Sequence, residues 1–165
     1  MIEFDTTVQI DRARERVFAI LTDFESNLAR WAKGPVAATR TAGDGGVGTR
    51  YMITAKVGPV KVRSPYEVTG YDPPARFAGH GIAGPVRFHE EYALTADGPA
   101  TILTQSIRAA PRGPFRLAGK TLRHQLQQLI TSDLIRLKDL AEADIPPDSA
   151  HPRGSHRATS TDRQP

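Results

Sequence analysis

"GPFRLAGKTLRHQLQQLITSDLIRLKDLAEA", residues 113 to 143, reads as one long amphipathic helix. Phe115, Ala118, Leu122, Leu126, Leu129, Ile130, Leu137 and Ala141 recur at helical spacing along one stripe, and Pro114 stands near the first-turn position that proline favours. A helix with one apolar side must lie against a broad apolar surface. The residues upstream of it supply a sheet with one such face.

From residue 35 to about 110 the chain is a run of short alternating segments separated by the turn-forming clusters "GDGG", "VGP", "YDPP", "IAGP" and "ADGP". This spells an antiparallel meander. A turn at the Gly-Pro of residues 58 and 59 sets Val57 opposite Val60, Ala55 opposite Val62, Ile53 opposite Ser64 and Tyr51 opposite Tyr66, all on one face. Arg50, Thr54, Lys56, Lys61, Arg63 and Glu67 fall on the other, so the sheet has a solvated outer face and a covered inner one. The long helix is its natural cover.

At the start, Ile2, Phe4, Thr6, Val8 and Ile10 alternate with polar residues, which is the period of a strand. In "DRARERVFAILTDF" the period changes to that of a helix through Val17, Ile20, Leu21 and Phe24, with Asp11 available as its N-cap. A second short helix is expected through "SNLARW". After Ile145, "PPDSAHPRGSHRATSTDRQP" has almost no apolar content and cannot offset the entropy of ordering, so residues 145–165 are expected to form a disordered tail to a single domain over 1–144.

Composition narrows the chemistry. With no cysteine among 165 residues, disulfides, thiolate metal sites and cysteine nucleophiles are excluded, which suits a reducing, cytoplasmic setting. No stretch is long and apolar enough to span a bilayer, and no basic flank precedes an apolar run. The net charge of +4 is modest, both signs are interspersed, and no block resembles a nucleic-acid arm, so nucleic acid is a minor option as partner. A monomer or a homodimer is expected.

The order of elements resembles the helix-grip fold of the START-like, or SRPBCC, superfamily, in particular its polyketide cyclase/dehydrase-like branch. "VQIDRARERVFAILTD" is similar to that branch's opening strand and helix, Trp31 stands where a tryptophan is often found, and "GVGTRY", "YDPPARF" and "YALTADGPAT" resemble its strand and turn phrases. The resemblance spans about residues 2 to 142. It implies an α+β fold: a curved antiparallel sheet of about seven strands wrapped around a long C-terminal helix, with two short helices after strand 1. It also implies a cavity between sheet and helix for an apolar or amphipathic small molecule. It implies no single activity, because similar members include lipid carriers, quinone-binding proteins, hormone receptors and aromatase/cyclases.

Two motifs are set aside. "GDGGVG", residues 43 to 48, matches a dinucleotide fingerprint in letters, but a strand rather than a helix follows it, so a turn is expected. A turn at Gly84 and Pro85 places His80 across from His89 on the solvated face, and with no third ligand in sight no metal site and no cofactor is expected.

The inner face holds the candidate site. "VRFHEEYAL", residues 86 to 94, puts Glu90 among apolar neighbours, where a carboxylate is costly unless paired, protonated or wet. Tyr51, Ser64, Tyr66, Glu90 and Tyr92 share this face. A turn at Asp97 and Gly98 would set Gln105 opposite Glu90, and Gly79 and Gly81 beside Glu90 and Phe88 leave room for a cavity floor. Three readings compete for Glu90: an ion pair with Arg40 or Arg123 or a bulge that turns it outward, a polar anchor for a ligand, or a general acid or base assisted by tyrosines. The expected ligand-binding set is Tyr51, Ser64, Tyr66, Phe88, Glu90, Tyr92, Gln105, Leu122, Leu126 and Ile130. The expected function is binding of a lipid-like, quinone-like or polyketide-like molecule. The alternatives are a cyclase, aromatase or dehydratase using Glu90, or a protein or RNA interaction module using the basic outer face.

Overall fold

The computed structural model describes residues 1–57, 59–117 and 119–143. The expected tail, Ala118 and the side chains of Val57 and Phe115 lie outside what is described. Strand β1 (Ile2–Ile10) leads to helices α1 (Arg14–Thr22) and α2 (Phe24–Trp31). Six strands follow: β2 (Val36–Ala42), β3 (Arg50–Val57), β4 (Val60–Asp72), β5 (Arg76–Ala83), β6 (Val86–Asp97) and β7 (Ala100–Pro111). A 3-10 turn at Gly113–Arg116 then precedes α3 (Gly119–Ala143). All seven strands form one antiparallel sheet in the order β1-β7-β6-β5-β4-β3-β2, so the chain's first strand closes on its last. This is the helix-grip architecture that the family resemblance implied.

Side-chain alternation explains the two faces. Tyr51, Tyr66, Val68, Phe77, Tyr92, Leu94 and Leu103 point inward and are buried with Leu134 and Leu137 of α3 and with Val17, Leu21 and Phe24 of the short helices. Phe24 is the hub, with its ring 5.4 to 5.5 Å from those of Tyr51, Tyr66 and Phe77. Such tilted and edge-on pairs add to the burial of apolar area that drives the fold. A smaller cluster of Ile2, Phe4, Ile107 and Ala109 lies under Leu122 and Leu126, and Phe88 and Ile130 sit at the seam between the two.

Three expectations about helices are corrected. Pro114 belongs to the 3-10 turn, and α3 itself starts at Gly119. Leu129 is exposed, because at about 100° per residue it lies more than a quarter turn from the line through Ile130, Leu134 and Leu137. Asp11 does not cap α1, whose N-cap position is Ala13 with no side-chain bond. Instead the backbone N–H of Asp11 donates to Glu142, and Asp23 caps α2 by accepting from Ser26 N–H at 3.2 Å.

Arg12, next to Asp11, ties down the other end of the fold. Its guanidinium donates to the carbonyls of Ala141 and Glu142, so it holds the last turn of α3 with charge of the sign that a helix C-terminus attracts. Arg12→Ala is therefore expected to cost about 1 kcal/mol. Faster amide exchange confined to residues 140–143 would be its signature, and unchanged exchange there would contradict it.

Candidate functional site

The inner face of β5, β6 and β7 carries a buried polar cluster inside an apolar wall. Gln105 Nε2 donates to Glu90 Oε2 at 3.0 Å and to the Tyr92 hydroxyl at 2.8 Å, and the Tyr92 hydroxyl donates to the same carboxylate oxygen at 3.2 Å. Glu90, Tyr92 and Gln105 are all buried. The register differs from the expected one: Tyr92 pairs with Gln105 and Glu90 with Ile107, because β6 and β7 turn at Gly98 and Pro99 rather than at Asp97 and Gly98. A shift of two residues keeps side chains on the same face, so Gln105 still reaches Glu90 diagonally.

Among the described residues no cation meets Glu90. Arg40 pairs instead with Glu25 at 3.1 Å and lies over the Tyr51 ring, while Arg123 is exposed at the start of α3. No bulge interrupts the pairing of β6 with β5 or β7, so the strand keeps Glu90 facing in. Burial raises its proton affinity, the hydroxyls of Tyr66 and Tyr92 and the amide of Gln105 oppose that, and Asp133 adds to it. Burial, together with the charge of Glu90, also pushes the Tyr66 and Tyr92 phenols well above the ordinary range. The Tyr66 hydroxyl lies near this carboxylate yet makes no well-formed hydrogen bond among the described residues, and the same holds for the buried Trp31 Nε1 and Thr6 Oγ1. Buried groups of this kind are rare in folded proteins and mark places where a partner is wanted.

Gly79 and Gly81 stand where the hairpin register predicted, opposite Glu90 and Phe88. The room they leave is occupied, which corrects the expected open floor. A Cβ on Gly79 would fall 2.1 Å from the Tyr66 hydroxyl oxygen, and one on Gly81 would fall 2.7 Å from Phe88 Cζ. Each glycine thus admits an aromatic ring to the inner face. Ser64, Phe88, Leu122, Leu126 and Ile130 are half-buried, whereas Leu134, Leu137 and Ala141 are fully buried. The C-terminal half of α3 is packed down, and its N-terminal half covers the sheet less completely.

Asp133 was not expected from sequence. It lies on α3 among apolar residues, accepts the Lys33 N–H at 2.7 Å, and has its carboxyl raised to about 6 by burial against the opposing pull of that N–H and of Arg136 and Lys33. At 100° per residue it falls on the apolar stripe, within about 20° of Leu122 and Leu126, so helical spacing was the signal that could have found it. What the spacing does not give is its partner, the Lys33 N–H in the segment after α2.

The remaining motifs fall into place. "GDGGVG" spans the loop from β2 to β3, where Gly43, Gly45 and Gly48 have positive φ and Gly45 N–H donates to the buried Thr49 hydroxyl. His80 and His89 are neighbours across β5 and β6, and among the described residues no group of three metal-ligating side chains comes together. On the outer face Arg50 pairs with Glu67, Arg76 with Asp72 and Glu91, and Arg108 with Glu3. Lys56, Lys61, Arg63 and Arg87 on the same face are exposed and have no ion pair among the described residues.

A seven-stranded antiparallel sheet gripping a long helix, with two short helices after the first strand, defines a START-like helix-grip protein. Residues 1–142 match the model of the family described as polyketide cyclase/dehydrase and lipid transport, and the chain belongs to that family. A search of curated proteins found no match. Among solved structures, the Zhui aromatase/cyclase from Streptomyces sp. R1128 is similar with a TM-score of 0.71 at 15% identity, covering 89% of this chain and 97% of its own. Ara h 8.0201 superposes with a TM-score of 0.71 at 11% identity, covering 86% and 98%. A protein from Thermus thermophilus is 23% identical with a TM-score of 0.64, covering 84% and 96%. At these identities the likeness speaks for the fold. No helix among the described residues is long and apolar enough to cross a membrane.

Proposed function

We propose that the protein binds an amphipathic small molecule between the sheet and the N-terminal half of α3. The observation that carries this reading is the Tyr66 hydroxyl, buried without a well-formed hydrogen bond among the described residues beside a carboxylate that none of their cations meets, at the edge of an apolar wall. The apolar body of the ligand would lie along Phe88, Leu122, Leu126 and Ile130, with Ser64 and Tyr51 further along the sheet, and its polar end would meet Tyr66 and the Glu90, Tyr92 and Gln105 cluster. The family's description favours lipid-like and polyketide-like ligands over nucleotides. Absence of cysteine fits a cytoplasmic setting.

The raised proton affinity of Glu90 next to two phenols favours a second reading, a cyclase- or dehydratase-type enzyme. In it the Glu90 carboxylate takes a proton from an enolisable carbon while a tyrosine hydroxyl hydrogen-bonds the developing oxyanion. This is the arrangement in which turnover, not only affinity, depends on Glu90.

Native mass spectrometry of the purified protein, followed by titration with a fluorescent fatty acid and with an anthraquinone, tests the binding. Saturable one-to-one binding of at least one probe is expected, weakened about tenfold by Tyr66→Phe, the scale of one lost hydrogen bond. A protein that carries no small molecule and binds neither probe would end the proposal. Turnover of an anthraquinone precursor that Glu90→Gln abolishes would move the function to the enzymatic reading.

A further inference from the structure

Between β7 and α3 the molecule carries a cleft of about 730 Å³ whose lining includes Arg112, Arg116, Lys120 and Arg123. All four cations are exposed, none has an ion pair among the described residues, and no acidic residue interrupts residues 112 to 123. The carboxylate on the cleft's lining, Glu3, is engaged by Arg108 at 3.9 Å. This segment alone holds as much positive charge as the whole chain nets. On the sheet's outer face the arginines at 50, 76 and 108 are paired, whereas Lys56, Lys61, Arg63 and Arg87 are exposed without an ion pair among the described residues; what sets the cleft apart is four cations within twelve residues beside an exposed leucine.

Leu117, 94% exposed, lies between these cations in sequence, directly after Arg116, and Met1, 85% exposed, is on the lining of the same cleft. Water offers such side chains nothing. We infer that this face, the 3-10 turn with the first turns of α3, docks on an anionic lipid bilayer, Leu117 entering the interface while Arg112, Arg116, Lys120 and Arg123 meet the lipid phosphates. An apolar residue flanked by cations is the composition that interfacial membrane segments use. A nucleic-acid backbone would satisfy the cations and leave Leu117 in water, which is why the bilayer is the better partner.

The position of this face gives it a use. Leu122 and Leu126, one and two turns further along α3, are half-buried over the smaller apolar cluster, so the docking face abuts the less covered half of the grip. An apolar ligand could then pass between bilayer and protein without crossing water. This consequence rests on the ligand-binding reading, whereas the docking itself does not.

Sedimentation of the full-length protein with vesicles separates the two. Vesicles of phosphatidylcholine with phosphatidylglycerol are expected to bind it at low salt, vesicles of phosphatidylcholine alone are not, and the binding should fade as salt rises. The double substitution Arg116→Glu with Lys120→Glu should lower affinity at least about twentyfold, at about fivefold per cation affected. Leu117→Ser, which keeps the charge, should lower it about fivefold. Arg116→Lys should bind as the parent does. All three positions are exposed, and an unchanged thermal midpoint confirms that each variant is folded. Absence of binding to the anionic vesicles, or binding that the charge reversals leave intact, overturns the proposal. Vesicle binding that Leu117→Ser leaves unchanged, alongside equally salt-sensitive capture of duplex RNA, would assign the cations to nucleic acid and also overturn it. Failure here with intact probe binding leaves the ligand reading standing, and the reverse result removes that reading alone.

Discussion

Gly79→Ala is expected to destabilise the protein by about 1–3 kcal/mol, and Gly79→Val by more, although both exchange a flexible residue for one better suited to a strand. The added Cβ would sit 2.1 Å from the Tyr66 oxygen, 2.2 Å from Cζ and 2.6 Å from Cε1, so the ring as a whole must leave. It has nowhere easy to go, since Tyr66 is buried with Phe24 at 5.4 Å and Phe88 at 6.3 Å between ring centroids. Gly81→Ala should cost less, because the Phe88 ring it displaces is only half-buried. Denaturant unfolding of Gly79→Ala in the parent and in a Tyr66→Ala background isolates the cause: the cost of the methyl group should largely vanish in the second. A Gly79→Ala protein as stable as the parent would mean that Tyr66 is not held over Gly79.

Glu90→Gln should stabilise the protein at neutral pH, the reverse of what loss of an ion pair does. Gln keeps an oxygen that can accept from Tyr92 and Gln105 and removes a charge that burial penalises without a cation among the described residues to offset it. The sign follows from linkage. A carboxylate whose folded-state proton affinity is raised adds stability that is full below its ordinary value of 4.5 and is lost as pH rises through the folded value. Asp133 behaves alike between 3.8 and about 6. The parent is therefore expected to lose stability from these two groups as pH climbs out of the acid range, and Glu90→Gln with Asp133→Asn to flatten that slope. A gain of about 1 kcal/mol or more for Glu90→Gln at pH near 7.5, shrinking toward nothing near pH 4, is the expected pattern. Glu91→Gln, which weakens a surface pair with Arg76 at 2.9 Å, should change stability by no more than about 1 kcal/mol. Marked destabilisation by Glu90→Gln at neutral pH would show that the charge is stabilised in a way the buried cluster does not account for.

The sheet was open to reading because its rules are local and binary. Alternation assigns a face, and a two-residue turn fixes register, so every expected pair from Tyr51–Tyr66 to Val57–Val60 and from Gly79–Glu90 to His80–His89 is formed. The β6–β7 pairing slipped by two because Asp97-Gly98 and Gly98-Pro99 are both good turns, and the chain uses the second, with Gly98 at φ 58° as Gly84 has φ 57° in the hairpin before it. Parity protected the faces from that slip. Space is another matter: sequence places a glycine beside a glutamate, but only packing decides whether a ligand or the ring of Tyr66 fills the gap. Asp133 stands on the apolar stripe of α3 and could have been picked out by spacing, but its hydrogen-bond partner, the Lys33 N–H, is a hundred residues away in the chain and has no local sign.

The pairing of β1 with β7 has a kinetic side. Ile2 meets Ala109 and Ile10 meets Thr101, so the first strand has no partner until nearly the entire sheet has been made. Contacts of such long sequence separation close slowly, because loop entropy is lost before they form. During synthesis the alternating segment Ile2–Ile10 must wait as an unpaired strand, and the β3–β4 and β5–β6 hairpins can form before it. Refolding should therefore show those hairpins protected from amide exchange early and β1 last.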